Sequence, residues 1–251
     1  MAQFYHNLKS INGHSGILVI GDVHGDFEQF SRAVDYALTR DLFLISLGDL
    51  CDYGPNSKEV IFLTSDLIRK NRMISVIGNH ERKLKKWVEQ KRDGHIRIKI
   101  KECIQATIDS FNSDPNVVND FMYVEQSMFH IIRYKNTIFS HGAVHPSVIL
   151  KPEFSPMAYQ MSMFGEVDRD QPMREDGFPN RVFHWVEKIP QDIKVYVGHD
   201  IRSPIEPMVV GSVTFLDTGC SKIHNELGIE GHLSGAVLDD MGELVKFVRF
   251  D

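Results

Sequence analysis

Five times along this chain a short apolar run ends in a small residue and then a side chain able to bind metal. Ile17-Leu18-Val19-Ile20 runs into Gly21-Asp22-Val23-His24-Gly25, and Phe43–Leu47 into Gly48-Asp49-Leu50-Cys51-Asp52. Met73–Ile77 runs into Gly78-Asn79-His80-Glu81, Thr137–Ser140 into His141-Gly142, and Val195–Val197 into Gly198-His199. Each run reads as a buried strand, and each glycine or serine as a tight exit from it. In an open α/β sheet the loops beyond the strand C-termini converge on one point, which is where ligands bind. A single Asp-x-His is weak evidence, because a turn with a satisfied histidine explains it equally well. Five such junctions delivering Asp, Asn or His imply a metal centre.

The segments between the junctions alternate strand and helix. Phe27, Phe30, Val34 and Leu38 mark one face of a helix ending near Arg40. Asn56, with Glu59 three positions later, starts a second helix whose buried face is Val60, Ile61, Leu63, Leu67 and Ile68. Strand–helix–strand–helix–strand over the first 77 residues predicts parallel strands joined by right-handed crossovers. A third helix carries Leu84, Trp87 and Val88, and helical patches continue to about Val124 without a ligand-bearing strand, so residues 83–124 read as a helical cap inserted into a single domain spanning 1–251. Met1–Ser15 reads as an irregular lead-in, and Lys135-Asn136 as a two-residue hairpin turn. Ser212–Leu216, Ser234–Leu238 and Leu244–Val248 suggest a second, largely antiparallel sheet stacked on the first.

Bulk properties exclude several classes. With 42% hydrophobic and 25% charged residues, the 251-residue chain is neither disordered nor collagen-like. Cys51, Cys103 and Cys220 show no paired spacing, as expected in a reducing compartment. No apolar run reaches membrane-spanning length and no signal segment opens the chain, so a soluble cytoplasmic protein with no membrane partner is expected. Residues 82–101 hold nine Lys or Arg against two acids, a local +7 that leaves −13 elsewhere in a chain of net charge −6. Such a stretch is either a solvated helix face or an attractor of anionic substrate.

Taken together, the five motifs resemble those of the calcineurin-like metallophosphoesterases, in the form of the phosphoprotein-phosphatase branch that includes bacterial diadenosine-tetraphosphate hydrolases. The match runs in order over residues 17–220. It implies a four-layer α/β sandwich, two stacked mixed sheets flanked by helices, and a hydrolase of phosphate esters or anhydrides. It further implies that Asp22, His24 and Asp49 bind one divalent metal and that Asp49 bridges to a second held by Asn79, His141 and His199. A carboxylate bridging two cations about 3.5–4 Å apart would let water held between them be acidified and aimed in line at phosphorus. Mixed oxygen and nitrogen ligands suit Mn, Fe or Zn. By the same resemblance His80 is the proton donor to the leaving oxygen and Asp52 orients its imidazole, while Glu81 caps the next helix or supports the loop.

One position departs from the pattern. Many phosphomonoesterases of this branch carry arginine after the aspartate at position 52; this chain carries Tyr53. A phenol offers one neutral hydrogen bond where a guanidinium offers a charged fork. Either Arg82 or Arg202 compensates, or the substrate is a nucleotide or diester with less charge per phosphorus. Phosphoprotein, dinucleoside polyphosphate and cyclic or nucleic-acid-end phosphates all remain open as substrates, nucleic acid being disfavoured because Gly198-His199-Asp200 lacks a His-x-His. A non-catalytic metal-binding scaffold is the alternative class; it predicts lost ligands or a lost His80, and neither is lost. The oligomeric state is not readable from the sequence.

Overall fold

The computed structural model describes residues 2–168, 170–173, 179–224 and 228–251. In chain order the elements are β1 (Gln3–Asn7), β2 (Gly16–Ile20), α1 (Phe27–Thr39), β3 (Leu42–Ser46), α2 (Ser57–Arg69), β4 (Met73–Ser75) and α3 (Asn79–Arg92). Then come α4 (Glu102–Ser113), α5 (Pro115–Gln126), β5 (Phe129–Tyr134), β6 (Thr137–Ser140), α6 (Ser147–Leu150) and α7 (Pro156–Phe164). The chain closes with β7 (Glu166–Val167), β8 (Arg181–Val182), β9 (Lys194–Val197), β10 (Met208–Val210), β11 (Val213–Phe215), β12 (Thr218–His224), β13 (Ile229–Asp239) and β14 (Leu244–Phe250).

Two six-stranded sheets result. One has the order β12-β13-β2-β3-β4 with β14 also paired to β13; the other runs β1-β5-β6-β9-β11-β10. In the first, β2, β3 and β4 are parallel and β13 joins β2 antiparallel. In the second, β6, β9 and β11 are parallel, β5 is antiparallel to β6 but parallel to β1, and β10 is antiparallel to β11.

Side-chain alternation along the strands sorts the core into three layers. Leu18, Ile20 and Leu44 face α1–α5, where Phe30, Val60, Trp87, Phe111 and Phe121 meet them. Ile17, Val19, Phe43 and Ile45 face the other way and pack on Ile132, Phe139 and Tyr196 of the second sheet. The outer face of that sheet, with Ile131, Ile138, Val195 and Val197, is covered by Val148, Ala158, Met161 and Trp185. Helices, sheet, sheet, helices: this is the expected four-layer sandwich. Strands buried on both faces explain why the runs read as continuously apolar.

Several local expectations change. Residues 3–7 form a strand, paired in parallel with β5, where an irregular lead-in was expected. Ser234–Leu238 and Leu244–Val248 lie in β13 and β14 of the first sheet, so the second sheet is mixed and takes its members from both ends of the chain. Leu38 is 46% exposed because Phe30, Ala33, Val34 and Ala37 already fill the buried stripe of α1. Asn56 precedes α2 as expected but its side chain makes no capping bond. The hairpin turn is present, with Lys135 taking the positive φ, +53°, that glycine usually supplies. Residues 83–124 carry most of α3, all of α4 and most of α5, with the non-helical stretch 93–101 between the first two, and Leu84, Ile108, Val117 and Phe121 share one apolar cluster with α1 and α2.

Candidate metal centre

All five junctions meet at one place. Asp22 and His24 follow β2, Asp49 and Asp52 follow β3, and Asn79 opens α3 beyond β4; His141 and His199 arrive from the second sheet, after β6 and β9. The backbone bends sharply there: His24, Asp49, Asp52, Tyr53 and His199 all have φ between +48° and +75°. Left-handed conformations in non-glycine residues are costly and gather at functional sites. Glycines let the ligands approach. A Cβ on Gly78 would lie 2.0 Å from Asp49 Oδ1, and one on Gly198 2.2 Å from Asp22 Oδ1.

Asp49 is central. Its Oδ2 lies 3.4 Å from His141 Nε2, 3.9 Å from His24 Nε2 and 4.0 Å from His80 Nε2. Two groups of facing donors therefore share it, His24–Asp49–His80 and Asp49–His141–His199. Asp22 Oδ2 borders the first at 3.7 Å from His24 Nε2, and Asn79 Oδ1 borders the second at 3.1 Å from His141 Nε2. His141 Nε2 and His199 Nδ1 are 3.1 Å apart.

These residues fit divalent cations. The Nε2 atom of His24 is buried without a hydrogen-bond partner. Its Nδ1 lies 3.1 Å from the Cys51 carbonyl, and that of His141 2.8 Å from the Leu47 carbonyl. Nδ1–H donation to those carbonyls fixes the tautomer and turns Nε2 inward, as metal-binding histidines require. Burial holds the pKa of His24 and of His199 well below the usual imidazole range, so both are neutral. Burial, with the Asp217 and Asp49 charges beside it, pushes Asp22 up. Burial also opposes ionisation of Asp49, but the imidazoles of His141, His80 and His24 outweigh it and hold its pKa low. Crowded carboxylates facing inward-turned imidazole nitrogens form a donor set that a cation relieves.

His80 differs from the others. Its Nδ1 lies 2.6 Å from Asp52 Oδ2, its backbone N–H donates to Asp49 Oδ1 at 2.9 Å, and its Nε2 faces the centre. Burial alone would lower its pKa; the Asp49 charge and the Asp52 hydrogen bond reverse that and raise it. Glu81 supports the loops, one of its two expected roles, and also reaches back as a helix cap. It accepts the N–H groups of Leu50 at 2.7 Å, Gly78 at 2.9 Å and Asp49 at 3.0 Å.

Beside the centre opens a cavity of about 910 Å³ lined by Asn79, His80 and Tyr53, by Arg82, Lys83, Lys86 and Lys101, and by Phe4, Phe154, Tyr159 and Phe164. Arg82 sits there, 5.7 Å from the Tyr159 ring centre. Arg202 instead lies 4.1 Å from the Phe183 ring centre and 3.8 Å from Asp200, away from the lining of this cavity. A second cavity of about 630 Å³ meets the first at Asn79 and carries Arg181 beside His199. Arg181 and Lys222 were not found from sequence. Arg181 stands in the long stretch between the His141 and His199 junctions, and Lys222 five residues past Asp217, outside all five junctions.

A four-layer sandwich with a cluster of Asp, His and Asn at the converging strand ends defines a metallophosphoesterase, a metal-dependent hydrolase of phosphate esters or anhydrides. Residues 16–235 match the calcineurin-like phosphoesterase model, and the chain belongs to that family. Among curated relatives, the asymmetrical bis(5'-nucleosyl)-tetraphosphatase PrpE of Halalkalibacterium halodurans is 24% identical over 80% of this chain and 84% of its own. The same-named protein of Bacillus subtilis is 24% identical over 80% and 85%. Among solved structures, a candidate diadenosine tetraphosphatase superposes with a TM-score of 0.64 at 20% identity, covering 98% of both chains. A serine/threonine phosphatase of Saccharomyces cerevisiae gives 0.62 at 15% identity, over 99% of this chain and 83% of that one. Among the described residues no helix is long and apolar enough to cross a membrane.

Proposed function

We propose that this protein hydrolyses nucleotide-type phosphate anhydrides, dinucleoside polyphosphates foremost, in the cytoplasm. The observation that carries the reading is the large cavity, which starts at His80 and Asn79 and combines a row of cations with aromatic rings. A polyphosphate chain needs the former and a nucleobase the latter. The names of the curated relatives point the same way. Residues 83–124 act as a cap in this reading, their basic edge forming one wall of the substrate groove.

Asp22, His24 and Asp49 would hold one divalent ion, and Asp49, Asn79, His141 and His199 the second, with manganese the first candidate. Bound there, such ions supply Lewis-acid stabilisation and activate water. The protein's own contribution is orientation and proton transfer. Asp52 accepts the Nδ1–H of His80, which fixes the tautomer, stabilises the protonated ring and leaves Nε2–H to protonate the departing oxygen. The enclosing cations then hold the leaving nucleotide.

The purified protein, loaded with manganese, is to be assayed on p-nitrophenyl phosphate, its bis-ester, diadenosine tetraphosphate and a phosphopeptide. The expected result is the highest kcat/KM on diadenosine tetraphosphate. Preference for the phosphopeptide would overturn the substrate assignment.

A further inference from the structure

Lys222 is a cation beside the metal centre that the arrangement described so far does not use. It sits on β12 where pairing with β13 slips: the register shifts between Thr218 and Gly219 and again between Gly219 and Ile223. Ser221, just before it, has φ +60°. A bulge of this kind bends a strand and re-aims its side chains. The bulge packs on the Asp52–Gly54 turn, since Ser221 Oγ lies 2.7 Å from where a Cβ on Gly54 would be. Lys222 Nζ lands 4.9 Å from the centre of the Tyr53 ring, and that ring is 4.8 Å from the His24 ring and 5.5 Å from the His80 ring.

The charge of Lys222 bears on both halves of the centre, at Asp22, His24, Asp49, His80 and His199. Although the side chain is partly buried, its ammonium is held protonated by Asp217 and Asp22. Of the two arginines nearest by motif position, Arg202 lies over Phe183, away from the cavity lining, and Arg82 stands on the cavity wall 5.7 Å from the Tyr159 ring centre. Once cations occupy the ligand carboxylates, Asp22 and Asp49 no longer balance Lys222; Asp217 stays beside it, and an anion entering the centre becomes its second partner.

We infer that Lys222, guided by the Tyr53 ring, binds the non-bridging oxygens of the phosphoryl group at the centre. The lysine thereby fills the place left by a neutral side chain at position 53. The inference rests on the hydrolase reading above and adds to it a residue that determines phosphate affinity. A lysine supplies a point charge without a guanidinium's bidentate fork, so it suits an internal phosphate of an anhydride as readily as a terminal one.

The test measures competitive inhibition by inorganic phosphate, with metal content by atomic emission, for wild type, Lys222→Met, Lys222→Gln, Lys222→Arg and the double variant Tyr53→Arg/Lys222→Met. Expected are a phosphate Ki raised roughly ten- to a hundredfold in Lys222→Met with metal content unchanged, and a near-normal Ki in Lys222→Arg. Partial recovery is expected in the double variant. If Lys222→Met does not fold, Lys222→Gln takes its place with the same expectation. An unchanged Ki overturns the assignment, and so does metal loss that parallels the loss of phosphate binding, because Lys222 would then act only on the carboxylates. Wild-type protein that turns over none of the phosphate substrates overturns the hydrolase reading, whereas active wild type with no phosphate inhibition overturns only the assignment of Lys222.

Discussion

Replacing Glu81 tests whether one buried carboxylate holds two metal-bearing loops in register. Its Oε1 accepts the Leu50 N–H and its Oε2 accepts those of Gly78 and Asp49, all within 3.0 Å. In Glu81→Gln the amide oxygen can keep Gly78 and Asp49, but the NH₂ then faces the Leu50 N–H, so one bond is lost and two donors meet. Hydrogen bonds to charged groups contribute about 1.5–3 kcal/mol each. Burial and the neighbouring Asp49 charge push the Glu81 carboxyl up to about 7, so removing the acid also relieves a desolvation cost. The net loss belongs near the low end, about 2 kcal/mol, or about 4–8 °C in Tm for a chain of this size. Glu81→Ala strands all three N–H groups and costs about 3–6 kcal/mol, a large share of the stability of an ordinary domain. Thermal unfolding paired with metal content of the desalted protein is the assay. Both Tm and retained metal fall, because the freed Asp49 loop no longer presents its carboxylate. An unchanged Tm and metal stoichiometry in Glu81→Gln would refute the reasoning.

Asp49→Asn should empty both metal positions, since both donor groups share this carboxylate; two ions retained by atomic emission would contradict it. His80→Asn should lower kcat by roughly 10²–10⁴ with metal retained, whereas metal loss in that variant would make His80 a ligand. Gly198→Ala forces a methyl into Asp22 Oδ1 and should cost about 1–3 kcal/mol in urea unfolding, together with weaker metal binding by calorimetry. Burial, aided by the Arg82 charge, lowers His130 to about 4, against about 6.5 in an unfolded chain. The unfolded state therefore takes up its proton first, so this contribution is complete above about pH 6.5 and lost as pH falls toward 4, up to about 3 kcal/mol. Urea titrations of wild type and His130→Gln at pH 7 and pH 5 should differ in slope, and parallel losses would refute the assignment.

The ligand junctions were legible because everything that makes them is contiguous in sequence: an apolar run, a glycine and a donor side chain. The role of Glu81 was legible for the same reason, three residues past the strand exit at Gly78. Pairings set across the whole chain were not. The strand at 3–7 is only partly buried and exists because β5, more than 120 residues on, offers it an edge. Residues 234–238 and 244–248 have the alternation of strands, but nothing local says that the former pair with β2 of the first sheet and the latter with the former. Lys222 escaped notice because a bulge, not its spacing from a motif, aims it. The cation lining of the large cavity was visible as the basic stretch from Arg82, though sequence could not separate a solvated face from a wall.

The donors are divided between the two sheets, Asp22, His24, Asp49 and Asn79 on one and His141 and His199 on the other. The layer between them, Ile45, Leu47, Phe139, Tyr196 and Leu216, therefore works as a spacer gauge. Its side-chain thickness sets how far the two halves of the ligand set stand apart, much as a shim sets the gap of a vice. An exchange such as Phe139→Leu, which touches no donor atom, would thin that layer and bring the two donor groups closer together.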